Sequence, residues 1–206
     1  MSAPHSSTAA ASPADTGSPA ADEQAMAELA TRIKTWGREL GFQQVGITDV
    51  DLSAHEAYLE RWLANGHHGE MNFMAKHGTK RTRPEELVPG TLRVISVRLD
   101  YLPPEVETTQ VLSQPERAYV SRYALGRDSH KLMRKRLANL AKQIEKEVGK
   151  FGYRAFVDSA PVMERALAQK AGIGWFGKNA MLMNQQAGCL FFLGELYTDL
   201  PLPVDA

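Results

Sequence analysis

The sequence predicts an α/β or α+β sandwich, in which helices flank a sheet. Segments with apolar residues three and four positions apart, as in helices, are mingled with short segments rich in β-branched residues, as in strands. The two kinds of segment do not follow a strict βαβ order, and the sequence contains no internal repeat. With 206 residues, of which 43% are hydrophobic, the chain is long enough to bury one sizeable core.

Local signals bound the elements predicted in the first half of the chain. Apolar residues at helical spacing predict a helix from Asp22, and Gly41 is typical of its end. Ser53 and Glu56 are spaced as a capping box at the start of a second helix, which Gly66 ends. The predicted elements are a helix over residues 22–40, a strand over 43–50, a helix over 53–65, a short helix and loop within 67–89, a central strand over 92–102 and a surface loop over 105–117.

A long amphipathic helix, capped by Asp128 or Ser129, dominates the second half. Pro161 suits the first turn of a later helix. Two apolar segments on either side of residues 185–188 (QQAG) predict a hairpin. The predicted elements are a helix over residues 129–148, a strand over 154–158, a helix over 161–171 and hairpin strands over 180–184 and 189–196.

The composition excludes several classes of protein. Lys and Arg total 24, as do Asp and Glu, so no whole-chain charge attracts nucleic acid or a membrane, and RNA binding requires a local basic patch. The single cysteine, Cys189, excludes an internal disulfide and a cysteine-ligated cluster within these residues, and it indicates a reducing, cytoplasmic location. The histidines lack the spacing of a helical zinc site, so we expect no metal held by protein ligands.

The ends of the chain carry no targeting signal in this interpretation. Residues 1–21 are mostly small or polar, which predicts a disordered tail before a folded domain over residues 22–206. They lack the basic start and apolar middle of a signal peptide. No run of 18 apolar residues occurs, so we expect no membrane span.

Asp158 is the main candidate for a catalytic acid. It follows the apolar residues 155–157, so its side chain is predicted to emerge where a strand ends. Ligand crevices of open sheets form at such ends. The alternative is that Asp158 only caps the following helix, because aspartate is a favoured cap residue.

Residues 172–179 (GIGWFGKN, the glycine segment) have features of a ligand-binding loop. The three glycines allow backbone amides to approach a ligand, and Trp175 and Phe176 offer apolar faces. The segment is not a P-loop, because Lys178 is followed by Asn179, and it does not follow a strand as a dinucleotide fingerprint does. The alternative is a tight loop around a buried tryptophan.

Positive charge is concentrated in residues 121–136, the basic segment. It contains six basic side chains and one histidine, His130. Such a cluster either holds phosphate groups or forms a solvated face, and charge alone favours the solvated face.

Six motifs follow one another along the chain: GHHGEMNFMAKHGTKR, RPEELVPGTLRVISV, RYALGRDSHKLMRKRL, VDSAP, GIGWFGKN and AGCLFFLGELYTDLPLP. In their order and spacing they resemble the N-terminal part of the epoxyqueuosine reductase family. The resemblance runs from about Met26 to Asp205. It is far more specific than any single motif.

The resemblance implies a cobalamin-dependent, iron–sulfur oxidoreductase of queuosine biosynthesis, which reduces the epoxide of epoxyqueuosine to an alkene at the wobble position of tRNA. It implies a nitroreductase-like domain with a mixed sheet, and cobalamin without a protein histidine on cobalt. The implied partners are the tRNA anticodon stem-loop and an electron donor; we expect a monomer without membrane contact. The family's acid maps onto Asp158. The implied cofactor-binding residues are Arg81, Arg122, Tyr123, Gly126, Asp128, Gly174, Trp175, Gly177, Lys178 and Asn179.

The chemistry of the implied reaction sets a condition on Asp158. Opening an epoxide leaves an alkoxide, a poor leaving group that needs a proton as the C–O bond breaks. A free aspartic acid has a pKa of about 3.9, so an acid that works near neutrality must lie where burial disfavours its charge. We therefore expect an apolar pocket around Asp158, beside the corrin.

The chain departs from the family in two places. Ser129 stands where family members commonly have a tyrosine after Gly-Arg-Asp. The family continues beyond the last residues of this chain into a ferredoxin-like region, whose eight cysteines hold two [4Fe–4S] clusters, and a helical repeat region. These cysteine ligands are absent from a chain with one cysteine, so we expect a truncated form without turnover of its own. The alternatives are a cobalamin carrier domain, an FMN-dependent nitroreductase-like enzyme and a module that only docks tRNA.

Overall fold

The structure, a computed structural model, describes residues 19–102 and 108–205. Within them the strands are β1 (Gln44–Thr48), β2 (Arg93–Asp100), β3 (Tyr153–Phe156), β4 (Trp175–Phe176), β5 (Leu182–Met183) and β6 (Phe191–Thr198). The helices are α1 (Pro19–Glu39), α2 (Ser53–Ala64), α3 (Pro84–Leu87), α4 (Thr108–Leu112), α5 (Ser129–Val148) and α6 (Glu164–Lys170). Short 3-10 turns cover Asn72–Met74, Gly78–Arg81 and Arg122–Ala124. None of the helices in the described ranges is long and apolar enough to cross a bilayer.

The main sheet has the strand order β1-β2-β6-β3. β2 lies between β1 and β6, as the prediction of a central strand requires, and β4 pairs with β5 in a separate ribbon. The predicted combination of a sheet with flanking helices is confirmed. The described strands pair antiparallel throughout, whereas the resemblance implied a mixed sheet.

Helices cover both faces of the main sheet. Helices α1 and α5 pack on one face, where the buried side chains include Leu29, Ile33, Leu137, Leu140, Ile47, Ile95 and Leu196. Helix α6 packs on the other face, where they include Val94, Phe156, Ala166, Leu167 and Tyr197. Because side chains alternate along a strand, β2 and β6 contribute to both cores.

The predicted hairpin across QQAG is wrong. Strand β5 pairs with β4, and β6 joins the main sheet between β2 and β3, while an isolated bridge links Asn184 to Gly188. Leu196 of β6 is buried on the α5 side and Tyr197 on the α6 side. A strand that is apolar on both faces needs a sheet with a cover on each side, which a two-stranded hairpin does not provide.

Helix α6 begins later than predicted. It starts at Glu164, and Pro161 lies in the preceding residues 157–163, the Asp158 turn. In this turn the backbone N–H of Ser159 donates to Val157 and that of Val162 donates to Ala160. Because these local hydrogen bonds hold the residues in a turn, the helix begins only at Glu164.

Three further predictions in the first half need correction. Leu52, without a side-chain hydrogen bond, precedes α2 as its cap, and Glu56 accepts hydrogen bonds from Thr82 and Arg83 instead of completing a capping box. Helix α4 occupies part of the predicted surface loop. Helix α1 begins at Pro19, inside the predicted disordered tail, and the rest of that tail lies outside the described residues.

Candidate functional site

Asp158 lies two residues beyond the end of β3 in an unusual backbone conformation. Its φ of 57° is in the left-handed region, which residues other than glycine rarely adopt. The backbone N–H of Asp158 donates to Oε1 of Glu164 at 2.6 Å, and its carboxylate Oδ2 lies 3.0 Å from Nε2 of His130. Strained residues of this kind persist where the surrounding structure holds them, and they cluster at functional sites.

The carboxylate of Asp158 is not in an apolar pocket of the described chain. Its side chain is 75% exposed, so the expectation of burial is wrong. β3 is an edge strand of an antiparallel sheet, whereas the rule that places crevices at strand ends applies to parallel sheets. Asp158 does not cap α6 either, since Met163 holds that position. Its side chain is paired with His130.

The start of α5 supplies the partners of the Asp158 turn. Asp128 caps α5, as predicted, and accepts hydrogen bonds from the backbone N–H of His130 at 3.0 Å and of Lys131 at 3.3 Å. The hydrogen bond to Asp158 raises the pKa of His130 above its ordinary value, and the nearby Asp128 adds to this effect. Arg134 donates from Nη2 to the hydroxyl of Ser159 at 2.7 Å.

Two acidic side chains that the sequence did not single out lie beneath the Asp158 turn. Glu195 of β6 is completely buried, and it faces Ser96 across the strand pair. Glu164 is the first residue of α6 and is partly buried. Burial raises the pKa of Glu164 to about 7, and burial together with the charge of Glu164 raises that of Glu195.

The glycine segment forms β4 and the turn that leads to β5. A Cβ atom on Gly174 would lie 2.1 Å from the carbonyl oxygen of Met183, so the close approach of the two strands requires glycine there. Asn179 accepts a hydrogen bond from the backbone N–H of Met181 at 3.1 Å. Trp175 is 51% exposed, so the alternative of a loop around a buried tryptophan is wrong.

Substitution of Gly174 by alanine is expected to lower the free energy of unfolding by about 1–3 kcal/mol, the usual cost of forcing extra atoms into a packed site. The clash is with a backbone oxygen, which can move only if β4 and β5 separate. Gly177→Ala is the matched control, because its Cβ would meet side-chain atoms of Asn179 and Met183 that can rotate away. Urea unfolding of both variants measures the difference, and equal losses would contradict the explanation.

The first turn of α6 links the glycine segment to the Asp158 turn. Arg165 follows Glu164, donates to the carbonyl oxygen of Ala180 and lies 6.0 Å from the ring centroid of Phe176. Glu164 accepts a hydrogen bond from the backbone of Asp158. The adjacent residues Glu164 and Arg165 therefore contact the Asp158 turn and the glycine segment. The structure thus joins the backbone of Asp158 to Phe176, which lies 18 residues further along the sequence.

Two arginines predicted to bind the cofactor have hydrogen-bond donors without partners. In the part of the chain that the structure describes, Nε and Nη2 of Arg122 and Nε of Arg81 are buried and unpaired. Nη2 of Arg81 donates to the carbonyl oxygen of Phe73 at 3.2 Å. Buried donors of this kind are uncommon in proteins and call for an explanation.

Tyr123 and Gly126 lie in the sequence between Arg122 and the start of α5. Tyr123 is exposed, and its ring meets that of Tyr101 edge to face, with centroids 6.4 Å apart. Both tyrosines line a depression of about 410 Å³, together with Ser129 and Arg127. Gly126 has a φ of 87° in the turn before α5, and Lys178 is exposed. Asp158 does not line this depression.

Comparison with known proteins finds similarity to epoxyqueuosine reductases. The family model described as "Epoxyqueuosine reductase QueG, DUF1730" matches residues 81–159. The epoxyqueuosine reductase of Pseudomonas aeruginosa is 68% identical over 179 residues, which cover 87% of this chain and 50% of that protein. The structure of epoxyqueuosine reductase from Streptococcus thermophilus matches with a TM-score of 0.72 and 27% identity, over 86% of this chain and 47% of that one.

A further match is the crystal structure of an epoxyqueuosine reductase with an epoxyqueuosine-modified tRNA-Tyr stem loop, with a TM-score of 0.72 and 22% identity over 88% of this chain and 48% of that one. This likeness concerns the fold. The chain spans about half the length of the relatives that it matches. The family model covers both the basic segment and Asp158. The chain is thus similar to epoxyqueuosine reductases over residues 81–159 in the family model and over about half the length of the relatives.

Proposed function

We propose that this chain is the part of an epoxyqueuosine reductase that binds cobalamin and protonates the substrate. The substrate is epoxyqueuosine at the wobble position of tRNA, whose epoxide is reduced to an alkene. The observation that carries the proposal is the strained, tethered turn that presents the exposed carboxylate of Asp158 next to His130. The names of the relatives support the reaction.

The reaction defines what the side chains must supply. Converting the epoxide to an alkene consumes two electrons and two protons and releases water. The oxygen atom leaves as an alkoxide unless a proton reaches it as the C–O bond breaks. Asp158 is the proton donor in this proposal, and His130, with its raised pKa, restores the proton through their shared hydrogen bond.

The side chains fit a large ligand with many acceptor groups. The unpaired donors of Arg122 and Arg81 suit amide carbonyl or phosphate oxygens, and Trp175, Phe176 and Tyr123 offer exposed aromatic faces. Cobalamin carries both amide carbonyl and phosphate oxygens, and in its reduced state it supplies the electrons. The remaining residues assigned to the cofactor in this proposal are Gly126, Asp128, Gly174, Gly177, Lys178 and Asn179.

The proposal includes the partners of the whole enzyme. The basic segment, which includes Arg134 and Lys135, offers the tRNA backbone a local patch on a chain with no net charge. The [4Fe–4S] clusters of the family would pass electrons from a donor, because Cys189 alone does not hold a cluster. A tRNA substrate agrees with a cytoplasmic location.

Incubation of the purified chain with cobalamin is expected to shift the cobalamin absorption spectrum. The Arg122→Gln variant should bind at least about tenfold more weakly, because it loses a charged donor group. Arg38→Gln, an exposed substitution on α1, is the control and should bind as the wild type does. Yellow protein that carries flavin, or no spectral change with cobalamin, would overturn the proposal.

A further inference from the structure

The side chain of Glu164 holds the Asp158 turn by contacting the backbone of Asp158 rather than its carboxylate. Oε1 of Glu164 accepts the backbone N–H of Asp158 at 2.6 Å. Asp158 has its φ at 57° in the same turn. A hydrogen bond from the strained residue itself offsets part of the cost of its conformation. If Glu164 did not accept this bond, the N–H would be free and the turn could relax.

A second carboxyl group, that of Glu195, lies near enough to Glu164 for each to affect the pKa of the other. Glu195 is completely buried beside it, and Oε1 of Glu195 has a distant contact of 3.5 Å with the hydroxyl of Ser96. Oε2 of Glu195 is buried without a hydrogen-bond partner among the donors of the described residues. Two adjacent carboxylates in such a place repel each other, and a single shared proton removes the repulsion and supplies the missing donor.

The surroundings favour a proton on Glu195. Glu164 already accepts the N–H of Asp158, which favours its ionised form, and His130 lies on the same side. Glu195 is the more buried of the two and faces Ser96 and the Tyr197 ring on the α6 side of the sheet. Asp158 also acts on Glu164, and Glu85 acts on Tyr197.

We propose that Glu164, through the hydrogen bond that its carboxylate accepts from the backbone N–H of Asp158, is the positioning residue that presents Asp158 to the substrate. The inference rests on the proposed role of Asp158. Glu164 does not touch the reacting atoms in this proposal; it acts through the backbone of Asp158. Glu164 therefore lies behind the proton donor and sets its geometry.

The test compares two substitutions of Glu164 in the chain without cofactor or substrate. Glutamine at position 164 keeps an oxygen acceptor for the N–H of Asp158, whereas alanine does not. NMR measures the pKa of His130 and the hydrogen exchange of the Asp158 amide. We expect Glu164→Ala to increase that exchange at least about tenfold, the equivalent of one hydrogen bond. We expect it to lower the pKa of His130 by about 0.2–0.7 more than Glu164→Gln does, as for loss of an exposed ion pair.

Controls separate positioning from folding. Glu60→Ala, at an exposed position on α2, should change neither reading. Glu164→Met, which keeps the length of the side chain without an acceptor, should behave as the alanine variant does. Equal readings for the glutamine and alanine variants would overturn the inference. So would unfolding of both the alanine and methionine variants, because Glu164 would then be required for the fold itself.

The outcome is independent of the proposed function. These readings need neither cobalamin nor tRNA, so their failure leaves the role of Asp158 as a proton donor untouched. Conversely, an Asp158→Asn variant that still reduces the epoxide would remove the proposed function without changing the NMR result. The two proposals therefore fail separately.

Discussion

Replacement of Asp158 by asparagine is expected to lower single-turnover reduction of epoxyqueuosine by about 10²–10⁴-fold, the range that a positioned general acid contributes. Asparagine has the same size and keeps the backbone N–H that Glu164 accepts, so the turn should persist. It has no proton to transfer near neutrality, and it removes the negative partner of His130. The measurement mixes protein, chemically reduced cobalamin and a stem loop that contains epoxyqueuosine, and mass spectrometry follows the loss of one oxygen atom.

The controls for this experiment concern binding and position. Cobalamin absorption should shift equally in the wild type and in Asp158→Asn, because the substitution does not alter the unpaired arginine donors. Asp22→Asn, in the first turn of α1, should react at the wild-type rate. An Asp158→Asn variant with more than about a tenth of the wild-type rate would show that another group supplies the proton.

Replacement of Glu195 by glutamine is expected to change how stability depends on pH. Near pH 5 the free energy of unfolding should be close to that of the wild type, because glutamine resembles the protonated acid. At the higher pH at which Glu195 ionises in the wild type, the variant should be more stable by about 1–3 kcal/mol, the cost of leaving a buried polar group unsatisfied. Thermal or urea unfolding across this pH range measures the difference.

The sign of this effect follows from the raised pKa values of the buried pair. An unfolded glutamate has a pKa of 4.5, whereas that of Glu164 is about 7 in the fold and that of Glu195 is also raised. Between these values the folded state holds a proton that the unfolded state has released. The stabilisation from Glu164 is complete below pH 4.5 and is lost as the pH rises through about 7. The stabilisation from Glu195 is likewise lost as the pH rises through its own raised pKa, and glutamine at position 195, which does not ionise, removes that loss.

A matched substitution shows whether burial is the cause. Glu60 is an exposed glutamate on α2, and Glu60→Gln should retain the wild-type pH dependence of stability. If the free energy of unfolding of Glu195→Gln instead changes with pH as that of the wild type does from pH ~5 to pH ~8, the pair does not share a proton in the fold.

Elements with strong local signals were predicted well. The 20-residue helix α5 carries buried Leu137, Leu140 and Ile144 at helical spacing, and Asp128 caps it as expected. The strand β2 has β-branched residues that are buried on both faces, which predicts a central position. In both cases the pattern that determines the element lies within the element itself.

Elements whose partners are distant in sequence were predicted poorly. Leu182 and Met183 pair with the glycine segment rather than with the apolar run after QQAG. Nothing in a two-residue strand specifies its partner, because register depends on which apolar face the rest of the fold covers. The late start of α6 has a different cause, which is the local hydrogen bonds of the Asp158 turn together with the one that Glu164 accepts from the Asp158 backbone.

The sequence by itself determined the class of fold, the long helices, the family resemblance and Asp158 as the candidate acid. Periodicity and motif spacing are local properties, so they can be recognised in the sequence without knowledge of the tertiary contacts. The tertiary structure alone decided that Asp158 is exposed, that His130 meets it from 28 residues away and that Glu164 and Glu195 form a buried pair. Burial, hydrogen bonding and neighbouring charge set the proton affinity of each group, and all three depend on residues that only folding brings together.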